Sequence, residues 1–410
     1  MLGRTLNTHQ QWLCRRLADL GRVVSRQVAI PDTGPEIQQA VREALSRADL
    51  VVVTGGLGPT SDDITRELIA EMLGQPLVED AQVLAHIEAF FAQRQRPMPA
   101  RNQVQALVPA GARLLWNPHG TAPGLAMVVR PNPFRSGGGA SWLVMLPGPP
   151  RELRPMFEAQ VVPLLHAELP LTEAFVCRTL RTISIGESAL QAQIADAMHP
   201  FTAQGLELGY CAKTGQVDVR LAAHGGAAAG VVAQAEKALR GLVGEAIFAE
   251  QFEELEAVVV RLLTARKQTL AVAESCTGGC LSHRLTNVPG ASAVFQAGLV
   301  TYSNAAKQRF LGVRAETLAA HGAVSEAVVR EMAEGARTAN HADHALAVTG
   351  IAGPSGGTPE KPVGSVFLAL ASAAGTQVKH QVNAWDRETF KQATANQALE
   401  MLRRALLGMS

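Results

Sequence analysis

Between residues 255 and 410 a short apolar run stops three times at a turn rich in glycine or small hydroxyls. Residues 269–273 lead into Glu274-Ser-Cys-Thr-Gly-Gly279 and a helical pattern at 280–285. Residues 297–303 lead into a helix carrying Asn304 and Lys307, and residues 344–348 into Thr349-Gly-Ile-Ala-Gly-Pro-Ser-Gly-Gly357. Continuous apolar runs of this length suit strands buried on both faces, and their alternation with helices suits a largely parallel sheet. Open sheets of that kind hold their ligands beyond the carboxyl ends of the strands, so the three turns converge on one candidate site.

A chain of 410 residues exceeds what one core organises, and two or three domains are expected. With 18% charged residues and a formal net charge of +1, nothing directs the chain toward nucleic acid or an anionic membrane, so phosphate recognition must be local. The five cysteines, Cys14, Cys177, Cys211, Cys276 and Cys280, are scattered without zinc-ligand spacing, which fits a reducing cytoplasm. The start lacks the apolar core of a signal peptide, and no apolar run is long enough to span a membrane. The expected partner is a small molecule, with neither direct nucleic-acid nor membrane contact.

Three parts follow along the chain. Residues 1–168 alternate helical stretches (7–20 and 37–48) with a buried apolar run at 49–54, then a hairpin-like pair at 125–129 and 142–146 whose tip, 131–140, reads as a surface insertion. Residues 169–252 follow a β-α-β-β-α-β order, with Lys213-Thr-Gly215 between the central strands, and such a unit often serves as a spacer. Residues 255–410 form the last domain. The expected architecture is multidomain α/β: two α/β sheet domains joined by a small α+β linking domain.

Ser275 falls between strand end and helix start, where backbone N–H groups lack helical partners and can serve a phosphate or an oxyanion. Equally, Ser275 or Thr277 can simply cap the helix. Lys307 falls in the first turn of a helix that Ser303 can cap, where the dipole disfavours a cation by about 0.3–1 kcal/mol; function or a snorkelling surface lysine would each account for it. Tyr302 has a half-buried strand aromatic as its plain alternative. Ser325 has helix capping as its default, and Cys276 and Cys280 read as small packing residues. In the third turn the glycine density favours close approach of a ligand over a free surface loop.

Taken together, A-E-S-C-T-G-G, G-x-V-T-Y-S-N-x-A-K, H-G-A-V-S and T-G-I-A-G-P at these intervals resemble the CinA family over essentially all of residues 255–410. The last domain looks, more narrowly, like a nicotinamide-nucleotide amidase. That resemblance implies hydrolysis of nicotinamide mononucleotide to nicotinic acid mononucleotide and ammonia, without a cofactor, in a homodimer. It implies Ser275 as nucleophile with Lys307 and Tyr302 as partners, and Glu274, Cys276, Thr277, Gly278, Gly279, Asn304, Ser325, Thr349, Gly350 and Gly353 around the substrate. With no histidine at the loop, a lysine must act as base, which requires its ammonium form to be penalised by about 1.4 kcal/mol for each unit of pKa. The Thr277 to Gly279 amides are the candidate oxyanion donors, and Tyr302 is an alternative proton relay.

In the first domain, Thr54, Gly55, Gly56, Gly58, Pro59 and Thr60 form a glycine turn after a buried run, suited to a phosphate. Asp62 and Asp63 suit either a divalent cation or helix capping. This segment resembles the molybdopterin-binding fold at the start of CinA proteins, which implies metal-dependent ADP-ribose pyrophosphatase activity. Family chains carry an apolar strand and a G-T-E-L-L-type turn ahead of the counterpart of Leu2-Gly3, and this sequence has neither, so either the start is placed late or the domain is impaired. The remaining alternative is a non-catalytic nucleotide- or molybdopterin-binding protein linked to competence or DNA damage.

Overall fold

A computed structural model describes residues 7–409. The chain divides into two compact units, residues 1–173 and 174–410.

In the first unit a four-stranded sheet has the order Leu50–Thr54, Ser141–Leu146, Gly124–Val129, Arg113–Leu115. The first pair is parallel and the others antiparallel. The expected hairpin pair forms, but its tip is anchored: the buried Asn132 side chain donates to Leu45 O and Ser141 Oγ. The segment around Leu2-Gly3 lies outside the described residues. Among those residues, Leu50–Thr54 pairs with Ser141–Leu146 alone.

The second unit begins with an antiparallel sheet ordered Ile247–Glu250, Phe175–Ile183, Gln216–His224, Glu207–Lys213. Helices Glu187–Thr202 and Ala228–Val243 bury an apolar face against it, completing the β-α-β-β-α-β order. This part is more than a spacer. Its Ile183, Phe248 and Ala249 belong to the same core as Leu255, Val259, Leu270 and Leu402, and its buried Arg181 donates to Glu253 O and pairs with Glu254.

Beyond it stands a five-stranded sheet ordered Phe295–Val300, Leu270–Glu274, His344–Gly350, Ser365–Ser372, Gly375–Val382. The first three strands are parallel and the last two antiparallel. Strand alternation divides the core. Leu270, Val272, Leu346 and Val348 face one side with Leu255 and Leu399. Ala271, Ala273, Ala345 and Ala347 face the other, where small side chains meet Val329, Met332 and Ala333 of the helix Glu326–Ala339. Two boundaries differ from expectation. The strand expected to reach Ser303 ends at Val300, because Ser303 turns to cap the helix Asn304–Leu311 by accepting from Ala306 N. Thr349 and Gly350 lie within the strand, paired with Phe367 and Val366, rather than in the glycine turn.

Candidate active site

Ser275 sits at the carboxyl end of the inner strand Leu270–Glu274, its N–H donating to Val348 O of the neighbouring strand. The turn then reverses at Gly278 and Gly279, whose φ values of +59° and +97° favour glycine. The carboxylate of Glu274 holds this turn from inside. It is 0% exposed and accepts from Gly279 N (2.9 Å), Leu281 N (3.1 Å), Ser282 N (2.9 Å) and Ser282 Oγ (2.7 Å). Glu274, expected beside the substrate, caps the helix Cys280–Thr286 with both carboxylate oxygens committed to the turn. Gly278 N donates to Ser275 O, so the Gly278 and Gly279 amides expected to serve an oxyanion are committed within the turn. Among the described residues the Cys276 and Thr277 amides donate to no main-chain carbonyl and are directed instead at the Cys276 sulfur.

Lys307 enters from the parallel neighbour. The chain leaves Phe295–Val300 with Thr301 N bonded to Glu274 O, and the Ser303-capped helix aims Lys307 back beneath the Ser275 turn. Its side chain is 1% exposed, and Nζ lies 3.0 Å from Ser275 Oγ, 2.8 Å from Thr301 O and 3.3 Å from Tyr302 O. Burial lowers the Lys307 pKa from its ordinary value, against a smaller opposing effect of the Cys276 thiol. Burial likewise pushes the Cys276 thiol up to about 12, which removes it as a nucleophile at neutral pH. Two hydroxyls beside the pair, Thr277 Oγ1 and Thr301 Oγ1, are buried without a hydrogen-bond partner among the described residues.

The other expected residues divide. Tyr302 meets the pair through its carbonyl, while its phenol is 60% exposed and accepts from Arg387 Nη2 at 2.8 Å. Proton relay by that phenol has no hydrogen-bonded route to Ser275 or Lys307 among the described residues. Ser325 caps Glu326–Ala339, accepting from Val328 N and donating to Gly322 O. Thr349 Oγ1 donates to Ala323 O at 2.8 Å, tying that loop to the sheet. At Gly350 a Cβ would stand 2.7 Å from Ser365 O, so strand packing requires the glycine. Gly353, at φ +72°, offers its carbonyl to Arg387 Nη1 at 2.8 Å. Asn304 is exposed at the start of its helix.

Sequence reasoning missed Arg387 and Lys391, on the first two turns of the C-terminal helix Arg387–Leu407. The signal was available. A cation opposing the helix dipole marked Lys307, and the same test applied to the helix behind Asp386 marks Arg387.

In the first unit the glycine turn is built as expected for close packing: a Cβ on Gly56 would stand 1.9 Å from Thr65 Oγ1, and one on Gly58 2.3 Å from Asp63 Oδ2. Asp63 Oδ2 accepts from Thr60 N and Thr60 Oγ1, so Asp63 acts as a turn cap, while Asp62 is exposed. Thr54 ends its strand opposite Leu146, and Pro59 is half-buried. No group of three or more His, Cys, Asp or Glu side chains that would hold a metal occurs among the described residues, and these aspartates do not make a protein cage for one. A cavity of about 460 Å³ in this unit is lined by Phe90, Phe91, Arg94, Arg96, His119 and Arg151. No helix among the described residues is long and apolar enough to cross a membrane.

Three family models match the chain: "CinA C-terminal domain" at residues 252–406, "Probable molybdopterin binding domain" at 1–167, and "Damage-inducible protein CinA KH domain" at 177–249. A relative from Symbiobacterium thermophilum, named for competence-damage induction, is 46% identical over 423 residues, covering 100% of this chain and 96% of its own. A CinA-like protein of Akkermansia muciniphila is 44% identical over 400 residues, covering 97% and 93%. A crystal structure of a CinA superfamily protein from Klebsiella pneumoniae is 40% identical over 38% of this chain and 96% of that one, with a TM-score of 0.37. Identity of this extent, along nearly the whole of both chains, places the protein in the CinA family of competence-damage inducible proteins.

Proposed function

We propose that the last domain is an amidohydrolase in which Ser275 attacks the carboxamide of a pyridine mononucleotide, releasing ammonia and leaving the carboxylate. The observation that carries this reading is the buried 3.0 Å contact between Lys307 Nζ and Ser275 Oγ. A neutral amine has two N–H groups and one lone pair. Thr301 O and Tyr302 O accept the two protons, which leaves the lone pair to the Ser275 hydroxyl. Burial that disfavours the ammonium form keeps the amine available as a base.

Ser275 Oγ then bonds to the carboxamide carbon as its proton passes to Lys307. Negative charge develops on the carbonyl oxygen, for which the Cys276 and Thr277 amides, neither of them bonded to a main-chain carbonyl among the described residues, are the nearby donors. The Lys307 ammonium returns the proton to the departing nitrogen, ammonia leaves, and water cleaves the resulting ester with Lys307 again as base. Each step uses Ser275, Lys307, the turn amides and water, and this domain's reaction calls on no redox or electron-sink chemistry.

Ammonia release from nicotinamide mononucleotide by the full chain tests this. Ser275→Ala should lower kcat by at least about 10³-fold with the fold intact, as for a lost nucleophile. Retained turnover would remove Ser275 from the role. For the first unit, the arginine- and phenylalanine-lined cavity favours a nucleotide ligand. Metal-dependent cleavage of ADP-ribose there would have to respond to Asp62→Ala, since Asp63 is held within the turn.

A further inference from the structure

We infer that Gly335 is a positioning residue for the amidase reaction: its lack of a side chain lets the helix carrying Lys307 dock at the depth where the amine meets Ser275. The inference rests on the amidase reading. Lys307 lies on the helix Asn304–Leu311, whose first turn is fixed by the Ser303 cap. The last turn of that helix is seated elsewhere, on the helix Glu326–Ala339, with which Leu311 and Val313 share a core. Gly335 stands inside this second helix, where glycine is weaker than alanine, so its presence asks for a reason.

The reason is the end of the neighbouring helix. A Cβ on Gly335 would stand 1.8 Å from Leu311 O, 2.7 Å from Leu311 C and 3.1 Å from Leu311 Cα, all of them backbone atoms that cannot rotate aside. Contacts between carbon and a carbonyl oxygen settle at about 3.3 Å, so the two backbones would have to part by about 1.5 Å. Leu311 follows Lys307 by one turn on the same helix face. That turn is closed by Gly312 at φ +68°, and Val313 N donates to Lys307 O itself, so movement at Leu311 is passed to Lys307. Glu331, four residues before Gly335 and on its face, grips the segment that follows. It accepts from Arg314 N at 2.9 Å, Arg314 Nε at 2.8 Å and Thr317 Oγ1 at 2.7 Å. Those bonds hold the Leu311 carbonyl against the glycine.

Beside this joint an open groove of about 810 Å³ is lined by Gly312, Arg314, Glu331 and Gly335 among others, which gives the Lys307 helix room to yield while the domain stays folded. The catalytic contact is less tolerant. Lys307 Nζ lies 3.0 Å from Ser275 Oγ and 2.8 Å from Thr301 O, and a retreat of the size a methyl group would force breaks both. It also lets water reach the amine, which returns the Lys307 pKa toward the ordinary lysine range. Gly335 thus acts through Leu311 on the base, without a contact to the reacting atoms of its own.

The test places Gly335→Ala in the full chain and follows ammonia release from nicotinamide mononucleotide against pH. A base displaced by about 1 Å should lower kcat by roughly 100-fold with KM within about twofold of wild type, and the rising limb of kcat/KM should move to higher pH. A kcat and pH profile like those of wild type would overturn the inference, as would a loss through KM alone. A readout independent of turnover separates this from the amidase reading. In chains grown with isotopically enriched lysine, the Lys307 magnetic-resonance signal is the one that disappears in Lys307→Met. It should titrate at higher pH in Gly335→Ala than in wild type whether or not either chain releases ammonia, and an unchanged titration rejects the inference. If Gly335→Ala does not fold, Glu331→Gln takes its place, loosening the grip on Arg314 and Thr317 without adding an atom to the joint. The Lys307 titration should then move in the same direction by less, and no movement there overturns the inference.

Discussion

Glu274 offers the sharpest test of how the turn is held, because a conservative replacement should fail there. Its two oxygens accept four hydrogen bonds: Oε2 from Gly279 N and Leu281 N, Oε1 from Ser282 N and Ser282 Oγ. In Glu274→Ala the wholly buried Leu281 loses its amide's acceptor at a cost of about 1–3 kcal/mol, and three half-buried donors add smaller costs. The sum is roughly 3–5 kcal/mol, a large share of the about 5–15 kcal/mol that holds a domain folded. Glutamine has the right shape and the wrong polarity. However its amide is turned, one end is an NH₂ group facing two donors. Glu274→Gln should therefore unfold at a urea concentration no higher than Glu274→Ala. Urea titrations of wild type and both variants at one pH decide the matter. A glutamine variant within about 0.5 kcal/mol of wild type would refute the four-bond account. If that stable variant also had a raised KM, the expectation that Glu274 contacts substrate would be restored.

Two further outcomes follow from buried charge. Because burial lowers the Lys307 pKa and the neutral amine is the base, kcat/KM for ammonia release should rise with pH through that lowered pKa and level off below the ordinary lysine range; a decline over the same interval would contradict the assignment. Between the folded and unfolded pKa of Lys307 the unfolded chain binds the extra proton, so stability should gain with rising pH in that window, and Lys307→Met should abolish the gain in urea titrations. At the other end of the domain, Arg403 and Glu400 are 2% and 4% exposed with Nε and Oε2 2.6 Å apart, so Arg403→Ala should cost roughly 3 kcal/mol by stranding the carboxylate, while the paired change Arg403→Met with Glu400→Leu should recover most of it.

The alternation of apolar runs with helical stretches was enough to read the α/β sheets, because burial on both faces imposes it on inner strands such as Leu270–Glu274 and His344–Gly350. The hairpin around the Lys213-Thr-Gly215 turn and the cap at Ser303 were legible for a similar reason: local chemistry dictates them. What escaped was whatever depends on partners distant in the chain. Glu274 looks like a loop residue open to a ligand until the helix Cys280–Thr286 folds its amides back onto it. Thr349 and Gly350 look like turn residues until Ser365–Ser372 pairs with them from the antiparallel side. Tyr302 was legible as a member of the site, but the direction of its phenol depends on Arg387, 85 residues later.

The same dependence on distant partners explains why the middle sheet is bound so closely to the last domain. Asn396 lies on the C-terminal helix that begins with Arg387. Its Oδ1 accepts from Gln216 Nε2 and from Arg284 Nη1, and its Nδ2 donates to Thr214 O. Arg284 belongs to the helix that follows the Ser275 turn and is itself clamped to Glu256 at 2.6 Å. One buried asparagine thus joins the helix behind the nucleophile, the helix carrying the two cations and the turn between two strands of the middle sheet. A displacement of either helix would have to break hydrogen bonds at a side chain that is 7% exposed, where water cannot readily replace them. The spacing of these two helices is in this way set by contacts outside the candidate site, and the middle sheet acts as the frame against which that spacing is held.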